Sequence, residues 1–160
     1  MHPSAERVQQ ALRDGGVDSE VVELTDAATT AALAAAVLGV TVGQIANSLV
    51  FVADGEPVLV LTSGANRVDT GKVAAVLGST KVRRADAHTV RAATGYPIGG
   101  VAPVAHTTPL PVLIDRDLEQ YDEIWAAGGT PHTVFRSTYG ELTRLSGARP
   151  ADVRTDQTPG

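Results

Sequence analysis

The amino-acid sequence predicts an α+β domain in which a mixed β-sheet is surrounded by helices. Three observations carry this. Ser48–Ala53 and Val58–Thr62 are apolar runs separated by Asp54-Gly55-Glu56-Pro57, and Asp-Gly is a strong hairpin signal. Capped, glycine-ended helical segments interleave with the strand-like runs without a regular βαβ alternation, which argues against a doubly wound sheet. The length of 160 residues, 43% of them hydrophobic, suits one domain with one substantial core. That domain spans 1–154, and Thr155–Gly160 reads as a frayed C-terminal tail.

The elements follow in chain order. Ser4 is placed as an N-cap ahead of an apolar stripe of Ala5, Val8, Ala11 and Leu12, with Gly15-Gly16 ending the helix. Val21–Leu24 is a short strand. Thr29 or Thr30 opens a second helix through Leu33, Val37 and Leu38, stopped by Gly39, and Thr41 caps a helical turn through Gln44 and Ile45. The near-continuous apolar character of the two hairpin strands predicts burial on both faces. Asp69 caps a helix bearing Val73, Val76 and Leu77, closed by Gly78. Lys81–Arg84 is a strand, and Asp86 caps a helix from Ala87 to about Ala93. Strands at Val112–Ile114, Ile124–Ala127 and about Thr133–Arg136 come next. Ser137 or Thr138 caps a last helix through Leu142 and Leu145, ended by Gly147.

Composition removes several classes of chemistry. The chain has no cysteine, hence no disulfide framework, thiolate zinc site or cysteine nucleophile. Its first residues lack the basic and apolar regions of a signal peptide, and its apolar runs are too short to span a bilayer, so a soluble, cytoplasmic protein is expected. Net charge is −5, but residues 61–91 carry six basic residues against two acidic ones. This basic island reads either as a phosphate-facing patch or as a solvated face around two helices.

Familiar site motifs fail. Six residues, not four, separate Gly64 from Gly71-Lys72, and Val73 stands where a P-loop needs Ser or Thr. The histidines at 2, 88, 106 and 132 are far apart, so no metal is expected. No G-x-S-x-G elbow surrounds Ser48 or Ser63. Asp115, Asp117, Asp122 and Glu123 read as a solvated turn rather than paired catalytic carboxylates. One segment does stand out: Gly95-Tyr96-Pro97-Ile98-Gly99-Gly100-Val101-Ala102-Pro103. Its glycines permit close backbone approach and its prolines stiffen the chain. Such a loop can aim successive N–H groups at a carbonyl or oxyanion, or be only a complicated turn.

That loop and its surroundings resemble the YbaK/prolyl-tRNA synthetase-associated domain family of trans-editing deacylases. The resemblance runs from about Ala27 to Val153. It includes Val42-Gly43-Gln44-Ile45-Ala46-Asn47-Ser48-Leu49-Val50-Phe51, Arg67-Val68-Asp69, Thr94-Gly95-Tyr96, the Gly99-x-x-x-Pro103 loop, Leu113-Ile114-Asp115, Gly128-Gly129 and Glu141-Leu142. It implies a partly barrel-like mixed sheet wrapped by helices, with a pocket for the 3′-terminal aminoacyl-adenosine of tRNA. It implies cofactor-free, metal-free hydrolysis of a mischarged ester, commonly on tRNA for proline, by an activated water with help from the terminal ribose hydroxyl. The Gly99, Gly100 and Val101 amides would hold the carbonyl in the loop that ends at Pro103. A synthetase is a further partner.

One position departs from the pattern. Many members carry a functional lysine where this chain has Asn47, and an amide cannot supply that positive charge. Asn47 then does a different job, as a polar orienter, in a subfamily with another amino-acid preference, or a basic residue such as Lys72 compensates, or the domain binds aminoacyl-tRNA or a synthetase without cutting. A hydrolase or binder of small amino-acid esters is a third reading. Arg67, Lys72, Arg83, Arg84 and Arg91 are the phosphate-contact candidates. His132 lines the pocket or lies in a surface turn; Ser48 contacts substrate or satisfies backbone at the strand start. Ala127 and Val134 occupy positions where cysteine-specific members carry serine and aspartate, so cysteinyl-tRNA is not assigned. Tyr96 is expected to pack at the loop base with its hydroxyl bonded.

Overall fold

The hairpin foreseen around Asp54-Gly55 organises the sheet. In the computed structural model, which describes residues 1–25 and 30–156, β2 (Ile45–Ala53) and β3 (Glu56–Ser63) pair antiparallel over eight registers. Asp54 and Gly55 form the turn alone, both with positive φ (49° and 88°), as a two-residue hairpin loop of this hand requires. The Asp54 carboxylate accepts the N–H groups of Thr80 and Lys81, which hold it below the usual aspartate range. Glu56 and Pro57 belong to β3, so the connection is shorter than the four residues expected.

The remaining elements are α1 (Pro3–Asp14), β1 (Val22–Glu23), α2 (Ala31–Leu38), α3 (Thr70–Leu77), β4 (Val82–Arg84), α4 (Ala87–Thr94), β5 (Val112–Asp115), β6 (Ile124–Ala127), β7 (Thr133–Ser137), α5 (Tyr139–Ser146) and β8 (Arg149–Ala151). The mixed sheet runs β1-β7-β6-β2-β3-β5-β8, with β4 attached to β2. One face of the hairpin packs Ala46, Val50, Val52, Leu59 and Leu61 against α1, Tyr96 and Phe135. The other packs Phe51, Val58 and Val60 against Val73 of α3 and Val153. Two covered faces explain why these strands read as unbroken apolar runs. A small third cluster joins Ala34 and Ala35 of α2 to Ile45 and Trp125.

Several expectations need correction. His2, not Ser4, caps α1: its Nδ1 accepts the Ser4 N–H at 3.0 Å, and Pro3 takes the first helical position, where an N–H is dispensable. Asp115 is no part of a solvated turn. It is 1% exposed, and its carboxylate accepts from Ser63 N–H, Asn66 Nδ2 and Asp117 N–H. A 3₁₀ helix at Arg116–Gln120 follows it. The strand β8 was not foreseen, because Pro150 argues against a strand except at an edge, and β8 is an edge strand on β5. Thr30 caps α2 through the Leu33 N–H; Thr29, the alternative cap, and residues 157–160 lie outside the described residues. Thr155 N–H donates to Arg67 O at 2.8 Å, and Asp156 meets Lys72 at 2.8 Å.

Candidate active site

On the side of β2 away from β3, the sheet forks. β6 runs parallel to β2 only at Ile45 and Ala46, whereas β4 pairs antiparallel from Phe51 to Ala53. Between them a cavity of about 300 Å³ opens, lined by residues 45–50, by Trp125, Ala126 and Ala127 of β6, by α2, and by Ile98, Gly99 and Val101 of the glycine-proline loop. The lining is largely apolar. Among the described residues the Asn47 side chain makes no hydrogen bond, and the buried Ser48 Oγ has no partner. Among the described residues Arg84 is the one charged residue on the wall; its guanidinium lies 5.6 Å from the centroid of the Phe51 ring.

The loop is held from beneath by Tyr96, which is fully buried. Its hydroxyl donates toward Val104 O and Ala105 O, both at 2.9 Å, and Thr94 Oγ1 accepts the Tyr96 N–H while donating to Val90 O. Burial pushes the Tyr96 phenol up, against the opposing pull of Arg7, which sits over its ring at 5.2 Å. His106 meets the Tyr96 ring edge-on and bonds Ala102 O at 2.7 Å. A carbonyl can only accept, so Nε2 carries the proton. Burial also lowers the His106 pKa, with the Ala102 carbonyl opposing.

This scaffold treats the three loop residues differently. Gly99 (φ 85°) and Val101 line the cavity, and their amides donate to no residue among those described. The Gly100 amide instead donates to Pro97 O at 3.0 Å, and Gly100 is buried away from the wall, its Cα against the Thr130-Pro131 backbone. Pro103 is buried and does not line the cavity.

The other expected residues scatter. Asn47 and Ser48 are on the wall. His132 is exposed and off the wall, in the β6–β7 turn, engaged through its backbone with Leu24 and Thr130. Arg67 is exposed elsewhere, near Val153–Thr155, and Lys72 is tied to Asp152 (3.3 Å) and Asp156 (2.8 Å). Chiefly through its hydrogen bond, Asp156 holds the Lys72 ammonium above the ordinary lysine range. Of the five basic candidates, Arg84 alone reaches the wall. Residues of α2 and Trp125 also line the cavity; no motif points to α2, whereas the single tryptophan, its indole N–H bonded to Glu123, is a visible signal in the sequence.

Residues 25–145 match the aminoacyl-tRNA editing domain, and the chain belongs to that family. Family and fold are those expected from the sequence. The chain is 29% identical to YwhH of Bacillus subtilis (strain 168), an uncharacterized protein, over 130 residues covering 81% of this chain and 82% of that one. It is 36% identical over 104 residues to the proline–tRNA ligase of Nitratidesulfovibrio vulgaris (strain DP4), covering 65% of this chain but only 18% of the ligase. A crystal structure described as "a putative trans-editing enzyme for prolyl tRNA synthetase" matches with a TM-score of 0.92 at 48% identity, over 98% of this chain and 99% of that one. Among the described residues no helix is long and apolar enough to cross a membrane.

Proposed function

We propose that this protein is an aminoacyl-tRNA deacylase that hydrolyses, in trans, the ester of a mischarged tRNA, with tRNA for proline as its nucleic-acid substrate. One observation carries the reading: Gly99 and Val101, whose amides donate to no described residue, line the same cavity as Asn47 and Ser48, whose hydroxyl has no partner among the described residues. Amides already fixed by a rigid loop stabilise a developing oxyanion without reorganising. The acyl oxygen accepts from them, and water, aided by the terminal ribose hydroxyl, attacks the acyl carbon. The C–O bond to ribose breaks, releasing the amino acid and a free 3′ end. Gly100 and Pro103 set the loop rather than touch the ester, and Asn47 orients substrate through its carboxamide. Arg84 contacts phosphate, as a planar guanidinium does well. The reaction as proposed uses no metal, so a chelator leaves its rate unchanged. The similarity to a proline–tRNA ligase supports the choice of tRNA.

The test is a panel of mischarged tRNAs, proline tRNAs included, incubated with the protein. At least one loses its amino acid faster than in buffer; if none does, catalysis is rejected. Asn47, where many members carry lysine, favours one second reading, a module that binds aminoacyl-tRNA or a synthetase without cutting. Binding that leaves every ester intact, together with cleavage gained on Asn47→Lys, selects it.

A further inference from the structure

The fork leaves part of β2 without a neighbour. Ile45 O accepts the Gly64 N–H on the β3 side, and Val50 O accepts the Ala85 N–H on the opposite side. In a strand paired without a bulge from Ala46 to Ala53, main-chain groups alternate sides with a period of two. Residues 46, 48 and 50 therefore present their N–H and C=O away from β3. Ala46 meets β6 and Val50 meets β4, so Ser48 is left at the open centre of the fork. Its hydroxyl is also buried there without a partner among the described residues.

A second observation says what fits. Asn47 and Ser48 are polar and Arg84 is cationic, but among the described residues no aspartate or glutamate lines the cavity. An amino-acid ester brings an α-ammonium into it, and a buried ammonium needs acceptors. Among the described residues the wall's unused acceptors at the fork are the Ser48 carbonyl and hydroxyl and, projecting from the opposite face of β2, the Asn47 carboxamide oxygen. We infer that Ser48, through its main-chain carbonyl and its Oγ at the open edge of β2, is the α-ammonium site and restricts the pocket to acyl groups with a free α-amino group. This rests on the deacylase reading for the identity of the ligand, but not on catalysis. The Gly99 and Val101 amides take the acyl oxygen from the loop side, and the ammonium is taken from the sheet side, which fixes the acyl carbon between them.

The test uses two ligands that differ only in that group: 3′-deoxyadenosine carrying alanine through a 3′-amide, and its lactyl counterpart, in which a hydroxyl of similar size replaces the ammonium. Neither is an ester, so neither depends on turnover. Titrations followed by calorimetry or NMR are expected to show about ten- to 150-fold tighter binding of the ammonium ligand, the range for one charge-assisted hydrogen bond. Ser48→Ala shrinks that preference by about threefold or more, leaving the carbonyl's share. Equal binding of the two ligands, binding of neither, or a preference that Ser48→Ala leaves unchanged overturns the assignment. A retained preference alongside a negative deacylation panel keeps the ammonium site and rejects only hydrolysis.

Discussion

Replacing Gly100 by alanine tests whether the loop acts as a rigid support. A Cβ built there lies 2.7 Å from Thr130 C, 2.8 Å from Thr130 Cα and 3.0 Å from Pro131 N. Carbon atoms rest near ~3.5 Å or farther apart, and the obstruction is backbone, so no side chain can swing aside. Relief requires the loop to leave the β6–β7 turn by roughly half an ångström or more, at a cost of about 1–3 kcal/mol. Productive donor geometry tolerates about 0.5 Å, and losing one oxyanion donor costs on the order of 100-fold in kcat. Gly100→Ala is therefore expected to lower kcat for deacylation at least tenfold, with a smaller change in KM and a Tm lowered by about 2–10 °C. Gly140 in α5 is the control, since a Cβ there meets nothing within 4 Å. Its replacement by alanine leaves kcat intact and adds about 0.5–1 kcal/mol of stability. Single-turnover deacylation and thermal unfolding read both outcomes. Wild-type kcat in Gly100→Ala refutes the idea that the loop's seat on Thr130 positions the Gly99 and Val101 amides.

If Arg84 makes the proposed phosphate contact, Arg84→Ala is expected to raise KM for tRNA about tenfold and to lower the slope of log KM against log salt by about one, while Lys72→Ala, which frees only Asp152 and Asp156, is expected to leave both unchanged. His106 is held neutral by burial with its pKa below the ordinary 6.5. Its contribution is fully present above pH 6.5 and lost as pH falls through the folded-state value, so Tm declines on acidification below about pH 6.5 and His106→Gln flattens that decline. Asp115→Ala leaves the Ser63 and Asp117 N–H groups and Asn66 Nδ2 without their acceptor, and urea denaturation is expected to show a loss of about 2–4 kcal/mol.

Elements bounded by strong local chemistry were legible in the sequence. Asp69 and Gly78 bracket α3, and Thr138 and Gly147 bracket α5, because a cap and a terminating glycine act within one turn of chain. Asp115 was misread because acidic residues are usually exposed, and its burial depends on donors from Ser63 and Asn66, about fifty residues away. The candidate site was legible in part. Asn47, Ser48, Gly99 and Val101 do meet at one cavity. The Gly100 amide could not be assigned from composition, since its acceptor, Pro97 O, is chosen by the turn itself. Nor does a count of basic residues say which face they occupy: register places Arg84 opposite Phe51 beside the fork, whereas Lys72 projects from α3 toward Asp152. The fork is a property of sheet order, and no local pattern encodes it.

The measurement that bears most directly on the account is a crystal structure with the alanyl amide of 3′-amino-3′-deoxyadenosine bound. The account places its acyl oxygen about 2.7–3.1 Å from the amide nitrogen of Gly99 or Val101, inside the fork between β4 and β6. An acyl group seated anywhere else, or with its oxygen facing away from both amides, contradicts it.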